Sequence, residues 1–320
     1  MPSDQGEKFI RTFAGTDNSC MRCWCGNERL IEWGEGYHRC DACQTLVAAI
    51  TDRQADPRVI DDRADLYGRD YWFDHQTREL NCPDIITRSR TDLSDRCIHW
   101  LRTLLQFKLP PARVLEIGCA HGGFVAMLHQ SGFDATGLEL SPSIVEYARQ
   151  TFDVPVLSGP IEDQTIAAGT LDAVILMDVM EHLPQPQATL RRCLDLLKSD
   201  GVLLIQTPSY PEGATLPELR AIGHKFSMML DPNEHLFLFS PTAARKLFQQ
   251  LDAEHIEFVP AIFGFYDMSF VVSRQSIART TPSERDAALT ATLPGRFMQA
   301  MLDLDERRLN LLRLYRERAA

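Results

Sequence analysis

The sequence predicts an α/β fold: a doubly wound, mostly parallel seven-stranded sheet, preceded by a small cysteine-rich module and followed by a helical tail. Three observations carry this reading. Strand-length apolar runs alternate with amphipathic stretches after Pro110-Pro111, five cysteines crowd into the first fifty residues, and residues 283–320 keep a helical spacing of apolar side chains.

RVLEIG, DATGLEL, VPVL, LDAVILM and GVLLIQTP read as strands, with GFVAMLHQSG, SIVEYARQTF and ATLRRCLDLLK as the helices between them. Near-continuous apolar strands joined by helices belong to a parallel sheet covered on both faces. A loop-rich stretch runs from Ser209 to His235, after which the helix TAARKLFQQLD and the strands EHIEFVPA and DMSFVVS close the sheet. The chain divides into a module at 1–50, a helical connector at 51–109, the α/β domain at 110–275 and the tail at 276–320. Within the connector, Tyr67-Gly68-Arg69-Asp70-Tyr71-Trp72 either covers the site or packs on the sheet. In the tail, Phe297, Met301, Leu304, Leu311 and Tyr315 form an amphipathic stripe suited to a homo-oligomer contact.

With 33 basic against 44 acidic residues, the net charge of -11 argues against nucleic acid as a partner held through its phosphates. No stretch approaches the roughly 18 to 20 apolar residues that span a bilayer. The start MPSDQGEKFIRTF lacks an apolar signal-peptide run, so a cytoplasmic protein without a membrane partner is expected.

Cys20-x-x-Cys23 and Cys40-x-x-Cys43 fit the spacing of a structural zinc site, in which four thiolates close a tetrahedron. Cys25-Gly26 resembles the second half of a zinc knuckle, so four of the five cysteines are expected to ligate and the spare one stays open. Cys82, Cys97, Cys119 and Cys193 are scattered, which does not suggest a disulfide framework.

The segment VLEIGCAHGGF, residues 114–124, is a buried strand ending in an acid and a turn of small residues. Its order is Glu116-x-Gly118-x-Ala120-x-Gly122, not the G-x-G-x-x-G that seats a pyrophosphate on a helix N-terminus. A carboxylate there suits a ligand with a cationic amino group. Glu139, about twenty residues on in GLELSP, stands where an acid accepts hydrogen bonds from both ribose hydroxyls.

EIGCAHG, GLELSP, GPIEDQTI, LDAVILMDVMEHL and LKSDGVLLIQTP follow one another in a familiar order. Over residues 90–275 the sequence resembles the class I S-adenosylmethionine-dependent methyltransferases, most closely their small-molecule branch. The resemblance implies the class I methyltransferase fold, with Glu116, Gly118, Ala120 and Gly122 around the methionine half of S-adenosylmethionine. Glu139 then holds the ribose, Ile161 and Glu162 frame the adenine, and Cys119, Leu140 and Met177 complete the cofactor-binding set. Ala120 replaces the usual middle glycine. Pro160 stands where many relatives have aspartate, which passes the adenine contact to Glu162 or Asp163. The cysteine segment resembles zinc modules attached to some bacterial sugar and natural-product methyltransferases.

Asp178, Glu181 and His182 follow the fourth strand at helical spacing, so one turn is expected to present all three together. Glu234-His235 lies beyond the fifth strand, and His182 and His235 are expected to converge. Two readings stay open. In one, Asp178, Glu181, His182 and His235 hold Mg2+ or another divalent cation that acidifies a hydroxyl. That set resembles the E-x-x-E-H element of ubiquinone-pathway O-methyltransferases and small-RNA 2′-O-methyltransferases. In the other, a histidine alone is the general base. The expected reaction is methyl transfer to a hydroxyl of a small-molecule acceptor, such as a sugar or natural-product intermediate. The alternatives are RNA ribose 2′-O-methylation, C-methylation of a keto sugar, and a non-catalytic cofactor-binding partner protein.

Overall fold

A computed structural model describes residues 21–49, 58–79 and 82–319, so Cys20 lies outside the described residues. The cysteine module contributes strands β1 (Leu30–Gly34), β2 (Tyr37–Cys40) and β3 (Leu46–Ala48). The connector holds the short helices α1 (Gln76–Arg78), α2 (Ile85–Thr91) and α3 (Arg96–Leu104). The expected alternation follows: β4 (Arg113–Ile117), α4 (Gly123–Gln130), β5 (Asp134–Glu139), α5 (Pro142–Phe152) and β6 (Val156–Ser158). It continues through β7 (Leu171–Met177), α6 (Pro186–Leu196) and β8 (Leu197–Pro208). After α7 (Leu216–Ala221) come β9 (Phe237–Leu238), α8 (Pro241–Gln249), β10 (His255–Val259) and β11 (Asp267–Ser273). The tail is α9 (Pro282–Thr290) and α10 (Leu293–Ala319).

Seven strands form one sheet in the order β10-β11-β8-β7-β4-β5-β6. The pairs from β8 to β6 are parallel, while β11 and β10 close one edge antiparallel. Alternate side chains of the central strands fill two layers. Leu115, Leu176 and Ile205 pack with Phe248 on one face, and Val114, Ile175 and Leu204 pack with Leu101 and Phe124 on the other. The chain leaves β4 outward through β5 and β6, then returns to β7 on the other side of β4. Open α/β sheets bind ligands beyond the strand ends at such a switch point.

One feature departs from expectation, and a second sets the orientation of the tail. The module's sheet has the order β1-β2-β3-β9, so a short strand just past the loop-rich stretch completes the module. The apolar stripe of the tail does not face the core: Phe297, Leu304, Leu311 and Tyr315 are all exposed, whereas Met298 and Leu302 are buried. The helix is docked by Met298, Leu302 and the Arg102–Asp305 ion pair, which turns the other stripe outward.

Candidate active site

The first turn after β4 is built for close approach. Gly118 and Gly122 have φ of +72° and +78°, and a Cβ on Gly118 would lie 2.6 Å from Val179 Cγ2. Ala120 also takes a positive φ, 45°, in the left-handed region where its glycine counterpart carries no penalty. Its N–H donates to Glu139 Oε2 at 3.0 Å, which holds the turn against the end of β5. The Cys119 thiol turns away from the ligand crevice and packs beneath Gly137, whose added Cβ would lie 2.5 Å from Cys119 Sγ.

A crevice of about 320 Å³ opens beside this turn, lined among others by Gly118, Glu139, Leu140, Ile161, Glu162 and Val179. Glu116 is buried just behind it, and its Oε2 has no hydrogen-bond partner among the described residues. Burial, and then the neighbouring Glu139 charge, holds the Glu116 carboxyl well above the usual range. An orphaned buried carboxylate oxygen is costly unless a ligand supplies a donor. A cationic amino group meets that need, so the residues present fit the methionine end of S-adenosylmethionine.

The ribose expectation for Glu139 needs adjustment. Its Oε1 already accepts from the Leu140 and Ser141 N–H groups at 2.8 and 3.2 Å, and its Oε2 from Ala120. A carboxylate accepts about four hydrogen bonds, which leaves room for one more donor. Asp163 is held by Arg58 in a two-pronged ion pair at 2.7 and 2.9 Å, and Glu162 accepts from the Thr189 hydroxyl at 2.5 Å. Met177 is buried at the end of β7 and does not line the crevice.

At the same strand edge the two histidines converge, with ring centroids 4.9 Å apart. Their Nδ1 atoms lie 2.8 Å from the Glu234 carbonyl and 2.6 Å from the Met229 carbonyl, respectively. A carbonyl only accepts, so both imidazoles carry hydrogen on Nδ1, and a neutral ring then keeps its lone pair on Nε2. Burial, and then His235, pushes His182 down to about 3, so it is neutral at ordinary pH. Glu181 Oε1 lies 3.8 Å from His182 Nε2, and its Oε2 accepts from the Thr207 hydroxyl at 2.8 Å. Burial and the Asp178 charge hold the Glu181 carboxyl well above the usual range.

Asp178 does not join this group. Its φ of +56° breaks the run between β7 and the 3-10 turn Met180–His182, so no single helical turn carries Asp178, Glu181 and His182. Its carboxylate accepts instead from Arg96 at 3.0 Å and Gln206 at 3.1 Å. The donors that come together are Glu181, His182 and His235, with ligand atoms within 4.8 Å of one another.

The connector covers the site. The Tyr67 hydroxyl oxygen lies 2.8 Å from His182 Nδ1, and Trp72 Nε1 donates to the Tyr67 carbonyl at 3.2 Å. The Glu234 carboxylate accepts from the Tyr71 hydroxyl at 3.1 Å, with His75 Nε2 also at 3.1 Å. Farther along, the Ser141 hydroxyl donates to Asp62 at 2.7 Å, so the connector also grips the start of α5. Tyr67 was legible only as one member of a tyrosine-rich stretch; its pairing with His182 spans 115 residues.

In the module, the Cys23, Cys25, Cys40 and Cys43 sulfurs lie within 4.8 Å of one another. Cys23 and Cys43 are 3.4 Å apart, Cys25 and Cys40 3.6 Å. A tetrahedron of 2.3 Å zinc–sulfur bonds has edges of about 3.8 Å, so the four thiols fit such an ion. Cys25 therefore belongs to the cluster, through the tight turn allowed by Gly26 at φ +85°. The Cys43 thiol is pushed down to about 5, chiefly by its hydrogen bond with Cys23.

A methyltransferase-domain family model matches residues 89–257, more than half of the chain. Among curated relatives, the ubiquinone biosynthesis O-methyltransferase of Xanthomonas campestris pv. campestris (strain B100) is 35% identical over 105 residues, 31% of this chain and 44% of the relative. The protein of that name from Xanthomonas axonopodis pv. citri (strain 306) is 35% identical over 102 residues, 30% of this chain and 43% of the relative. The matched part thus spans less than half the length of these relatives. A solved SAM-dependent methyltransferase from Archaeoglobus fulgidus superposes with a TM-score of 0.44 at 17% identity, covering 55% of this chain and 92% of that one. Among the described residues no helix is long and apolar enough to cross a membrane. With the family model matched across the strand–helix repeat and the sheet in this order, the chain belongs to the class I S-adenosylmethionine-dependent methyltransferases.

Proposed function

We propose that the enzyme methylates a hydroxyl oxygen of a small molecule, such as a sugar or natural-product intermediate, and that one imidazole of the His182–His235 pair receives the proton. The observation that carries this reading is the imidazole pair itself. Both rings are pinned through Nδ1 to backbone carbonyls and lie against each other, which leaves Nε2 as the proton acceptor of a neutral ring. S-adenosylmethionine supplies an electrophilic methyl group on a sulfonium. The chain's residues do the rest. Glu116 and Glu139 orient the methyl donor, an imidazole Nε2 takes the hydroxyl proton, and the connector carrying Tyr67 and Tyr71 keeps water from the site. The acceptor oxygen then takes the methyl group and the sulfonium becomes a neutral thioether, so charge and atoms balance.

A second reading has a specific observation behind it. Glu181, His182 and His235 are two imidazoles and a carboxylate within reach of one divalent cation. Carbonyl partners on Nδ1 are also what metal-bound histidines commonly have. Turnover after dialysis against EDTA separates the two. Retained activity supports the base, and loss restored by Mg2+ supports the cation. In the module, Cys23, Cys25, Cys40 and Cys43 are proposed to hold a structural zinc ion. Product analysis tests the acceptor class, since a methyl group found on carbon would exclude O-methylation.

A further inference from the structure

Three consecutive carbonyls entering β9 are held by three different partners. The Glu234 carbonyl accepts from His182, the His235 carbonyl from the Tyr37 hydroxyl at 2.9 Å, and the Leu236 carbonyl from the Ala48 N–H at 3.0 Å. Two of these partners come from the cysteine module. Tyr37 opens β2 and Cys40, a member of the thiol cluster, ends it. Ala48 ends β3, whose Leu46 and Val47 pair with Leu238 and Phe237. Trp24, between two of the clustered cysteines, donates to the Thr45 hydroxyl at 2.8 Å and packs on Phe239. The segment bearing His235 thus leads directly into the fourth strand of the module's sheet.

We infer that the thiol module is a working part of the acceptor site, and that Tyr37 is a positioning residue that fixes the His235 imidazole. This rests on the reading of His235 as an acceptor-activating group. Tyr37 is 1% exposed and about two hundred residues from its partner in sequence, so its hydroxyl has been brought into the core to meet one backbone carbonyl. A buried hydroxyl needs a partner, but a phenylalanine would fill the same space without one. The retained polar atom holds the carbonyl of the very residue whose ring faces His182. With that carbonyl fixed on one side and the Met229 carbonyl on Nδ1 at the other, the ring keeps one tautomer and one direction. The module therefore acts on the orientation of the base while lying outside the cofactor crevice.

The test compares the full chain and its Tyr37→Phe variant, both labelled with 15N-histidine and dialysed against EDTA. The wild type should show His235 as a single Nδ1–H tautomer. In Tyr37→Phe its two ring-nitrogen signals should move toward tautomer-averaged positions, while affinity for S-adenosylhomocysteine is unchanged. His235 signals identical to wild type would overturn the inference. So would a shift accompanied by lost S-adenosylhomocysteine binding, since Tyr37 would then be a general packing residue. The ring-nitrogen readout needs no acceptor. Unchanged turnover of His235→Ala would thus count against the proposed function, while the Tyr37–His235 link is judged by the spectra.

Discussion

Glu116 and Glu139 are both buried near the ends of neighbouring parallel strands, Glu139 lining the crevice and Glu116 behind it, yet only one of them is satisfied. Glu139 accepts three backbone N–H groups, whereas Glu116 Oε2 accepts none among the described residues. Burial and the Glu139 charge raise the Glu116 carboxyl, so in the free enzyme it holds a proton at pH values where an ordinary carboxylate has lost one. An arriving ammonium group favours the ionised form and reverses that shift.

Binding of S-adenosylhomocysteine, which carries the same amino group, should therefore release a proton. Affinity should rise with pH above the ordinary carboxylate range and level off once Glu116 is ionised in the free enzyme. Calorimetry in two buffers of different ionisation enthalpy measures the proton directly. Glu116→Gln should abolish the release and weaken binding by roughly 1.5–3 kcal/mol, the worth of a hydrogen bond to a charged group. Release unchanged in that variant would remove Glu116 from the amino-group site.

Glu139→Ala should do two things at once. It should weaken S-adenosylmethionine by removing the remaining acceptor capacity, and it should loosen the Gly118–Gly122 turn by stranding the Ala120 N–H. Affinity is expected to fall by tenfold or more, since each charge-assisted hydrogen bond is worth roughly 1.5–3 kcal/mol. A melting temperature and affinity both at wild-type values would contradict this arrangement.

The module should carry one zinc ion per chain after extensive dialysis, as read by elemental analysis. Replacing Cys40 or Cys43 should lower stability, because modules of this kind lose most of their fold without metal. Cysteines found oxidised to disulfides, with no zinc present, would refute the thiolate site.

Asp267 bears on stability. Burial, and then Asp178, raises its carboxyl to about 8, opposed by Arg96. The folded chain therefore binds more protons than the unfolded one between about pH 4 and about 8, and stability should fall as pH rises through that window. Asp267→Asn should melt higher than wild type at pH 9, with the gap closing toward pH 4. Parallel melting curves at both pH values would show that Asp267 ionises normally.

Much of the site's chemistry was legible because it is local. The acid after RVL, the acid in GLELSP and the first histidine triplet sit within strand-end motifs of one edge, and the second triplet repeats the first beyond the fifth strand. What could not be read was set by backbone angles and by distant partners. A positive φ at Asp178 took it out of the cluster, and Arg96 took its carboxylate. Tyr37, Tyr67 and His75 reach the histidine region across more than a hundred residues, and nothing periodic in their surroundings announces that. β9 is two residues long, too short to carry an alternation. In the tail, the apolar stripe was visible but the docking face was not, because the Arg102–Asp305 pair and the buried Met298 and Leu302 lie off that stripe.

The most direct test of the account is transfer of a labelled methyl group from S-adenosylmethionine to a panel of hydroxylated small molecules, in wild type and in the His182→Ala, His235→Ala double variant. His182 is pushed down to about 3, so it should contribute no rising limb near pH 6.5; any limb there belongs to another group. The double variant should bind S-adenosylhomocysteine normally, because neither histidine lines the crevice. Its turnover should fall by about 10²–10⁴-fold, the usual worth of a positioned acid–base group. A double variant that binds normally and transfers methyl groups at the wild-type rate would contradict the assignment of the imidazole pair to the reaction.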